Sequence, residues 1–411
     1  MYDKWVDVVD QKMHTGVCFL DLSAAFDLVD HSLLIEKLKW YGFDSCSLNW
    51  IESYLKGRYQ SVYIEGKMSK VLPVPTGVPQ GSILGPLLYT IFTNELPEVV
   101  HGHIGNQGLY NMYCDFCGTL CCYADDSTFS VSSTQVETIS GNLSDKFCEI
   151  SKFMSSNRLK LNDDKTHLLL LSTDKSWRSK LSDNSLVLRT ESGMTINTSS
   201  CESLLGGVIA KNLKWTEHIM LHKNSLIKQL GIRLKALKKI CPITCFKTRK
   251  MLADGLFMSK LIYLIPLWGG CEKFLIRALQ VAQNKAARLV TNCGLYTPTK
   301  TLLKECGWLS VSQLVFYHTV VLLFKVRMSQ QPKYLFNMAV SAENDRYGAR
   351  SNQAGKLRVV GQEPKQALNR NSFRWRSIQC WNQLPHQLRQ QKNLVQFRIS
   401  LKSWVRDNVD M

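Results

Sequence analysis

Two adjacent carboxylates, Asp125 and Asp126, stand in Tyr123-Ala124-Asp125-Asp126. An apolar run (Leu120, Cys121, Cys122, Tyr123) precedes them and an alternating one (Ser127 to Ser132) follows. Apolar patterns on both sides of a short polar pair read as a β-hairpin with the acids at its tip. Such a tip is a poor place for a core and a good place to hold a cation. A third acid, Asp21, interrupts the short apolar run of residues 16–22, which reads as a buried strand carrying one charge. An acid there is costly unless it is paired or binds a metal; a cap or a salt-bridged strand end is the plain alternative. One strand acid and two tip acids are the ingredients of a two-metal phosphoryl-transfer site, in which cations about 3.5–4 Å apart clamp the attacking and leaving oxygens. Bound cations also make crowded carboxylates tolerable. Strand neighbours point to opposite faces, so Asp125 is expected to be the shared ligand and Asp126 the partial one.

Several elements must position these acids. From Ser23 the apolar period becomes helical (Phe26, Val29, Leu33, Leu34, Leu38) and runs to Gly42, a C-cap. A helix over about 47–55 leads into strand-like runs near 59–64 and 70–75. Thr76-Gly77-Val78-Pro79-Gln80-Gly81-Ser82 then makes a tight loop, followed by an apolar helix over 83–96 with Ser82 as N-cap. A glycine-lined loop before a helix N-terminus presents amides to a phosphate or a base, though many loops look like it. After the hairpin, Thr134 and Glu137 read as a capping box for a helix with Val136, Ile139, Leu143, Phe147, Ile150 and Met154 on one face. Residues 161–166 turn into a strand over 167–171, residues 174–200 read as loop-rich, and a strand is expected at 204–209. Helices are expected over 216–240 and 244–265, and the first carries lysines (223, 228, 235, 238, 239) largely off its apolar stripe, which suits phosphate contacts or simply a solvated face. The last third is helical and basic, with 342–370 as the linker candidate. There Phe373, Arg374, Trp375, Arg376, Ile378 and Trp381 interleave aromatics with arginines, either to stack single-stranded bases or as core.

Composition narrows the class. The 411 residues are 45% hydrophobic, enough for two or three domains with real cores. A formal charge of +18 suits a polyanionic partner, nucleic acid first and an acidic membrane surface second. Fourteen scattered cysteines without a secretory signal argue for a reducing compartment, so an intracellular protein is expected. No apolar stretch approaches the roughly 20 residues of a membrane span. Between helix and hairpin, His103, Cys114, Cys117 and Cys121 could close a Zn²⁺ site, since Cys114-x-x-Cys117 has ligand spacing; unliganded thiols are the other reading.

The ordered set Phe19-Leu20-Asp21-Leu22-Ser23-Ala24-Ala25-Phe26-Asp27, then Gly77 to Pro86, then Tyr123 to Asp126 resembles reverse transcriptases, most of all those of non-long-terminal-repeat (LINE-type) retrotransposons. Leu161-Asn162 with Lys165-Thr166, Leu204 to Val208 with Trp215 and His218, and Trp381-Asn382-Gln383-Leu384-Pro385 are similar too, so the likeness spans most of the chain. It implies an α+β right-hand polymerase. Residues 1–200 would form the palm, an antiparallel sheet with packed helices and partial fingers. Residues 201–300 would form the primer grip and helical thumb, and 301–411 a basic, mainly helical C-terminal region. By position, Asp21, Asp125 and Asp126 would hold two Mg²⁺, or Mn²⁺ in their place. Phe26 would be the aromatic steric gate that excludes a 2′-hydroxyl, or simply the first core residue of its helix. Gln80 and Gly81 would lie beside the templating base pair and nucleotide. Lys165 would assist the leaving pyrophosphate, unless it is an ordinary solvated lysine.

The implied reaction is RNA-directed DNA synthesis, with an RNA template, a DNA primer or RNA–DNA hybrid and dNTPs as partners, no membrane, and the nucleus and cytoplasm as location. The family has fingers segments upstream of its first aspartate, and this sequence begins twenty residues before Asp21, so an N-terminally truncated fragment is expected. A non-catalytic nucleic-acid-binding remnant is the alternative. A two-metal nuclease would need more acids and gives the Gln80 loop no role.

Overall fold

The structure is a computed structural model and describes residues 1–101, 119–173, 186–189, 193, 195–342 and 355–409. The chain forms two compact units, one of Met1 with Lys12–Ser200 and one of Tyr2–Gln11 with Cys201–Met411. The architecture is mixed α and β, with a central sheet and many helices.

The first unit is built on β1 (His14–Leu20), in which all seven residues are buried. Next come α2 (His31–Trp40), α3 (Ser45–Leu55), the short strands β2 (Tyr59–Gln60), β3 (Tyr63–Ile64), β4 (Lys67–Met68) and β5 (Leu72–Pro73), then α4 (Leu84–Phe92) and α5 (Leu96–His101). Strands β6 (Thr119–Tyr123) and β7 (Asp126–Ser133) form the expected hairpin, and α6 (Val136–Ser156), β8 (His167–Leu171), β9 (Val187–Arg189) and β10 (Thr195–Ser199) complete the unit. The sheet order is β6-β7-β1-β8-β10-β9, with β1 paired antiparallel to both β7 and β8. The sheet is not wholly antiparallel, because β10 runs parallel to β8. Residues expected to be loop therefore supply two strands, their short runs being fixed by pairing rather than by period.

Helix α6 lies across β1, and its six periodic apolar residues are all buried. Gly16 is what permits the approach: a Cβ there would stand 2.4 Å from Ile139 Cγ2 and 2.6 Å from Leu143 Cδ1. Cys18, Phe129 and Leu168 pair across three strands and join Leu34, Leu88 and Phe92 in one core. Each such side chain contributes roughly 1.5–3 kcal/mol by leaving water.

Three local expectations are corrected. Residues 23–27 are a turn with Ala24 at φ +48°, and α2 starts only at His31, capped by Asp30 accepting the Leu33 amide at 3.0 Å. The Thr134–Glu137 capping box does not form, since α6 is preceded by Gln135 without a side-chain cap. The apolar helix expected over 83–96 ends at Phe92, with α5 starting only at Leu96, but Ser82 Oγ does accept the Gly85 amide at 2.9 Å.

In the second unit, the expected strand at 204–209 is a hairpin, β11 (Cys201–Leu204) with β12 (Gly207–Ala210), turning through Leu205 and Gly206 at positive φ. Helices over Leu226–Ile240, Phe246–Ala253, Lys273–Thr291, Val311–Ser329, Phe373–Asn382 and Leu394–Asn408 follow. Val311–Ser329 is long and apolar enough to cross a membrane by length and composition, which the sequence reading did not anticipate. Two-thirds of its apolar window is buried inside the structure, as in a core helix. Phe324 stacks on Phe397 at 3.9 Å, and Trp381 lies 6.2 Å from Phe397.

The aromatic–arginine run is thus core rather than a stacking surface for bases: Phe373, Ile378 and Trp381 are buried, and Trp381 Nε1 donates to Gly355 O at 2.9 Å. The described part of the linker candidate is packed too. Strand β13 (Ala339–Ser341) pairs with β14 (Leu357–Val359), and Asp10 of α1 (Tyr2–Asp10) accepts the Lys365 and Gln366 amides at 2.8 and 2.6 Å.

Candidate active site

Asp21 follows the last residue of β1. Leu20 pairs with Ser127, so the next step of the antiparallel register sets Asp21 beside Asp126, and Tyr123 pairs with Asp126 on the far side. Ala124 and Asp125 form the two-residue turn of the hairpin, with Ala124 at φ +53°. Asp125 therefore lies in the turn and not on a strand, and the rule that strand neighbours face oppositely does not govern it. The Asp126 carboxyl has its pKa raised, first by burial, then by the charge of Asp125, then by that of Asp21. Asp126 thus lies within electrostatic reach of both other acids.

A second support holds Asp21 from the other side. Its carbonyl accepts the Asn162 amide at 2.9 Å, Ser23 donates its amide to Lys160 O at 2.9 Å, and Leu22 bridges Leu161. The single turn Asp163–Lys165 then brings Lys165 Nζ to 3.6 Å from Asp21 Oδ2. That is an ion-pair distance, too long for a hydrogen bond. Asp21 Oδ2 is buried and accepts no hydrogen bond. The Lys165 ammonium faces this shielded oxygen, so Asp21 is a salt-bridged strand end whose carboxylate oxygen is still short of a hydrogen bond. Carboxylate oxygens are the hard ligands that Mg²⁺ and Mn²⁺ take, so the donor set suits such an ion. As placed, the acids do not close round one: among the described residues, no three His, Cys, Asp or Glu side chains could hold a metal ion together.

Phe26 and Gln80 stand on two loops in close contact, and Gly81 follows Gln80 in the chain. Val78 donates its amide to Phe26 O at 2.8 Å, Gly77 to Val29 O at 2.7 Å, and Thr76 Oγ1 to Asp27 O at 2.9 Å. Gly77 has φ +91°, and a Cβ there would stand 2.8 Å from both Asp27 Cα and Asp27 O, so only glycine fits. Beyond it, Gln80 Nε2 donates to Asp27 Oδ1 at 2.9 Å, and exposed Gly81 turns at φ +79°. The ring of Phe26 is half-buried and stacks on Tyr89 of α4, centroids 4.6 Å apart. Burial first, then the charge of Asp125, pushes the Tyr89 phenol's pKa up. Tyr89 escaped the sequence reading because it looks like any core residue of an apolar helix.

His103, Cys114 and Cys117 lie outside the described residues, and Cys121 is an exposed free thiol on β6.

Residues 4–234 match the family described as reverse transcriptase (RNA-dependent DNA polymerase). Among curated proteins, the chain is 27% identical over 312 residues to a probable RNA-directed DNA polymerase from transposon BS of Drosophila melanogaster, covering 75% of this chain and 32% of that protein. It is 26% identical over 310 residues to the RNA-directed DNA polymerase from mobile element jockey of Drosophila funebris, covering 73% and 31%. The chain thus spans about a third of the length of these relatives. A solved telomerase structure from Candida albicans, with a fragment of telomeric RNA, matches over 81% of this chain and 52% of that one at 11% identity, with a TM-score of 0.35.

Proposed function

The chain belongs to the reverse transcriptase family, and from that premise we propose that it carries the polymerising centre of a retrotransposon-type RNA-directed DNA polymerase. The centre would extend a DNA 3′-hydroxyl on an RNA template and release pyrophosphate. The observation that carries this reading is the register that sets Asp21 beside the Tyr123–Asp126 hairpin, with Lys165 paired to Asp21. Asp21, Asp125 and Asp126 would hold two Mg²⁺, or Mn²⁺, which when bound supply the charge neutralisation and Lewis acidity for in-line displacement at phosphorus.

The other roles belong to the chain's own residues. Lys165, an exposed lysine paired with Asp21 at 3.6 Å, would stabilise or protonate a leaving pyrophosphate oxygen. Gln80, hydrogen-bonded to Asp27, and its neighbour Gly81 would flank the nascent base pair. Phe26 would exclude a 2′-hydroxyl by shape. In this reading residues 1–200 are palm with partial fingers, 201–300 the primer grip and thumb, and 301–411 the basic C-terminal region, with the lysines of Leu226–Ile240 holding the hybrid backbone.

Primer extension tests it: the 411-residue protein, an RNA template with annealed DNA primer, Mg²⁺ and four dNTPs, beside Asp125→Ala. Extension by wild type and none by the variant supports the reading. Equal extension by both would sink the assignment of Asp125. Salt-sensitive hybrid binding with no extension by wild type would replace it with the non-catalytic nucleic-acid-binding reading.

A further inference from the structure

One stretch of chain grips Phe26 twice. At its start, Val78 donates its amide to the Phe26 carbonyl. Near its end, Tyr89 lies against the Phe26 ring, with planes 30° apart. The two grips are joined, because Ser82 Oγ donates to Pro79 O at 2.7 Å and accepts the Gly85 amide, tying the loop to α4. A Cβ on Gly85 would stand 2.7 Å from Pro79 O, so the helix start is pressed on the loop. Tyr89 itself is only 2% exposed, and Leu88 and Phe92 beside it are core.

We propose that Tyr89 is a specificity-determining positioning residue, which by stacking on Phe26 sets the ring that separates deoxyribonucleotides from ribonucleotides. This rests on the reading of Phe26 as the sugar gate. Such a gate discriminates on the size of one oxygen atom, so its ring must not tilt. The terminal torsion of a phenylalanine is broad, and a ring only half-buried is not held by the core alone. A flat, fully packed aromatic partner restricts that tilt, whereas an aliphatic side chain of similar volume fills the space and leaves it free. The coupling within an aromatic pair, at its upper end, corresponds to about tenfold in a rate ratio.

The test is single-nucleotide incorporation by the full chain, with a dNTP and the matching rNTP, on an RNA template with a DNA primer. Wild type, Tyr89→Phe, Tyr89→Leu, Tyr89→Met and Phe26→Val are compared by the ratio of kcat/KM for the two nucleotides. Tyr89→Phe keeps the ring and should keep the wild-type ratio. Tyr89→Leu and Tyr89→Met should lower it by about tenfold, mostly through a smaller KM for the rNTP. A purely structural role would slow both nucleotides alike, and an unchanged ratio in the Leu and Met variants overturns the inference. If Phe26→Val relaxes the ratio and the Tyr89 variants do not, the inference alone fails. If Phe26→Val leaves the ratio unchanged, or wild type incorporates neither nucleotide, the gate reading fails and takes the inference with it.

Discussion

Gly77→Ala should be among the most damaging single-methyl changes in the first unit. The position has φ +91°, where an alanine costs about 1–2 kcal/mol relative to glycine. The added Cβ also meets Asp27 Cα and O at 2.8 Å, and backbone cannot swing aside as a side chain can. Relief requires moving the loop from residues 26–29, at the expense of the Gly77–Val29 and Val78–Phe26 hydrogen bonds, and such overpacking costs about 1–3 kcal/mol. The sum is roughly 2–5 kcal/mol, which for a unit of this size lowers Tm by about 5–15 °C. Gly81→Ala is the matched control, since Gly81 shares the positive φ (+79°) but a Cβ there meets nothing within 4 Å. It should lose only the conformational part, roughly 2–8 °C. Thermal melts followed by circular dichroism decide the matter. If Gly77→Ala melts within 2 °C of Gly81→Ala, the close approach of the two loops is wrong.

Stability should also depend on pH through His218, a 3% exposed imidazole whose Nδ1 accepts the Val208 amide. Burial first, then the charges of Lys260 and His222, lowers its pKa from 6.5 to about 4. Between those values the unfolded chain binds a proton that the folded chain refuses, so stability is full above about pH 6.5 and falls as pH drops toward 4, by about 3 kcal/mol at most. Urea unfolding of His218→Gln should show a shallower decline over that window, and an identical slope would refute the assignment. Asp10→Ala should cost about 2–4 kcal/mol, because its carboxylate accepts the Lys365 and Gln366 amides and Asn369 Nδ2, and Asp10 and Asn369 are both buried. Faster hydrogen exchange at the Lys365 and Gln366 amides would show the loss, and unchanged exchange would contradict it.

What was legible in the sequence was what local pattern can encode. The six apolar residues of α6 follow from helical period, the strand 167–171 from a short apolar run after a turn, and the tip acids from the polar pair between two apolar runs. What was misread depends on distant partners. Phe26 and Val29 fall at helical spacing, yet residues 23–27 form a turn, held by Thr76 and Val78 donating to the Asp27 and Phe26 carbonyls and by Ala24 in a left-handed conformation. The parallel pairing of β10 with β8 leaves no local trace. The arginines among the aromatics of residues 373–381 look like a nucleic-acid surface, but Arg374 pairs with Asp7 and Arg376 donates to Pro266 O, partners far away in sequence. Asp21 was found because a charge stands out in an apolar strand, and Tyr89 was missed because an aromatic in an apolar helix does not.

The most direct measurement is divalent-cation binding by the intact chain, read by the electron paramagnetic resonance of Mn²⁺ in competition with Mg²⁺. Wild type should take up Mn²⁺ and release it to Mg²⁺, and Asp21→Asn and Asp125→Asn should each weaken uptake by about tenfold or more, the loss of one hard anionic ligand. Wild-type affinity in both variants would contradict the claim that these acids form one metal-binding centre.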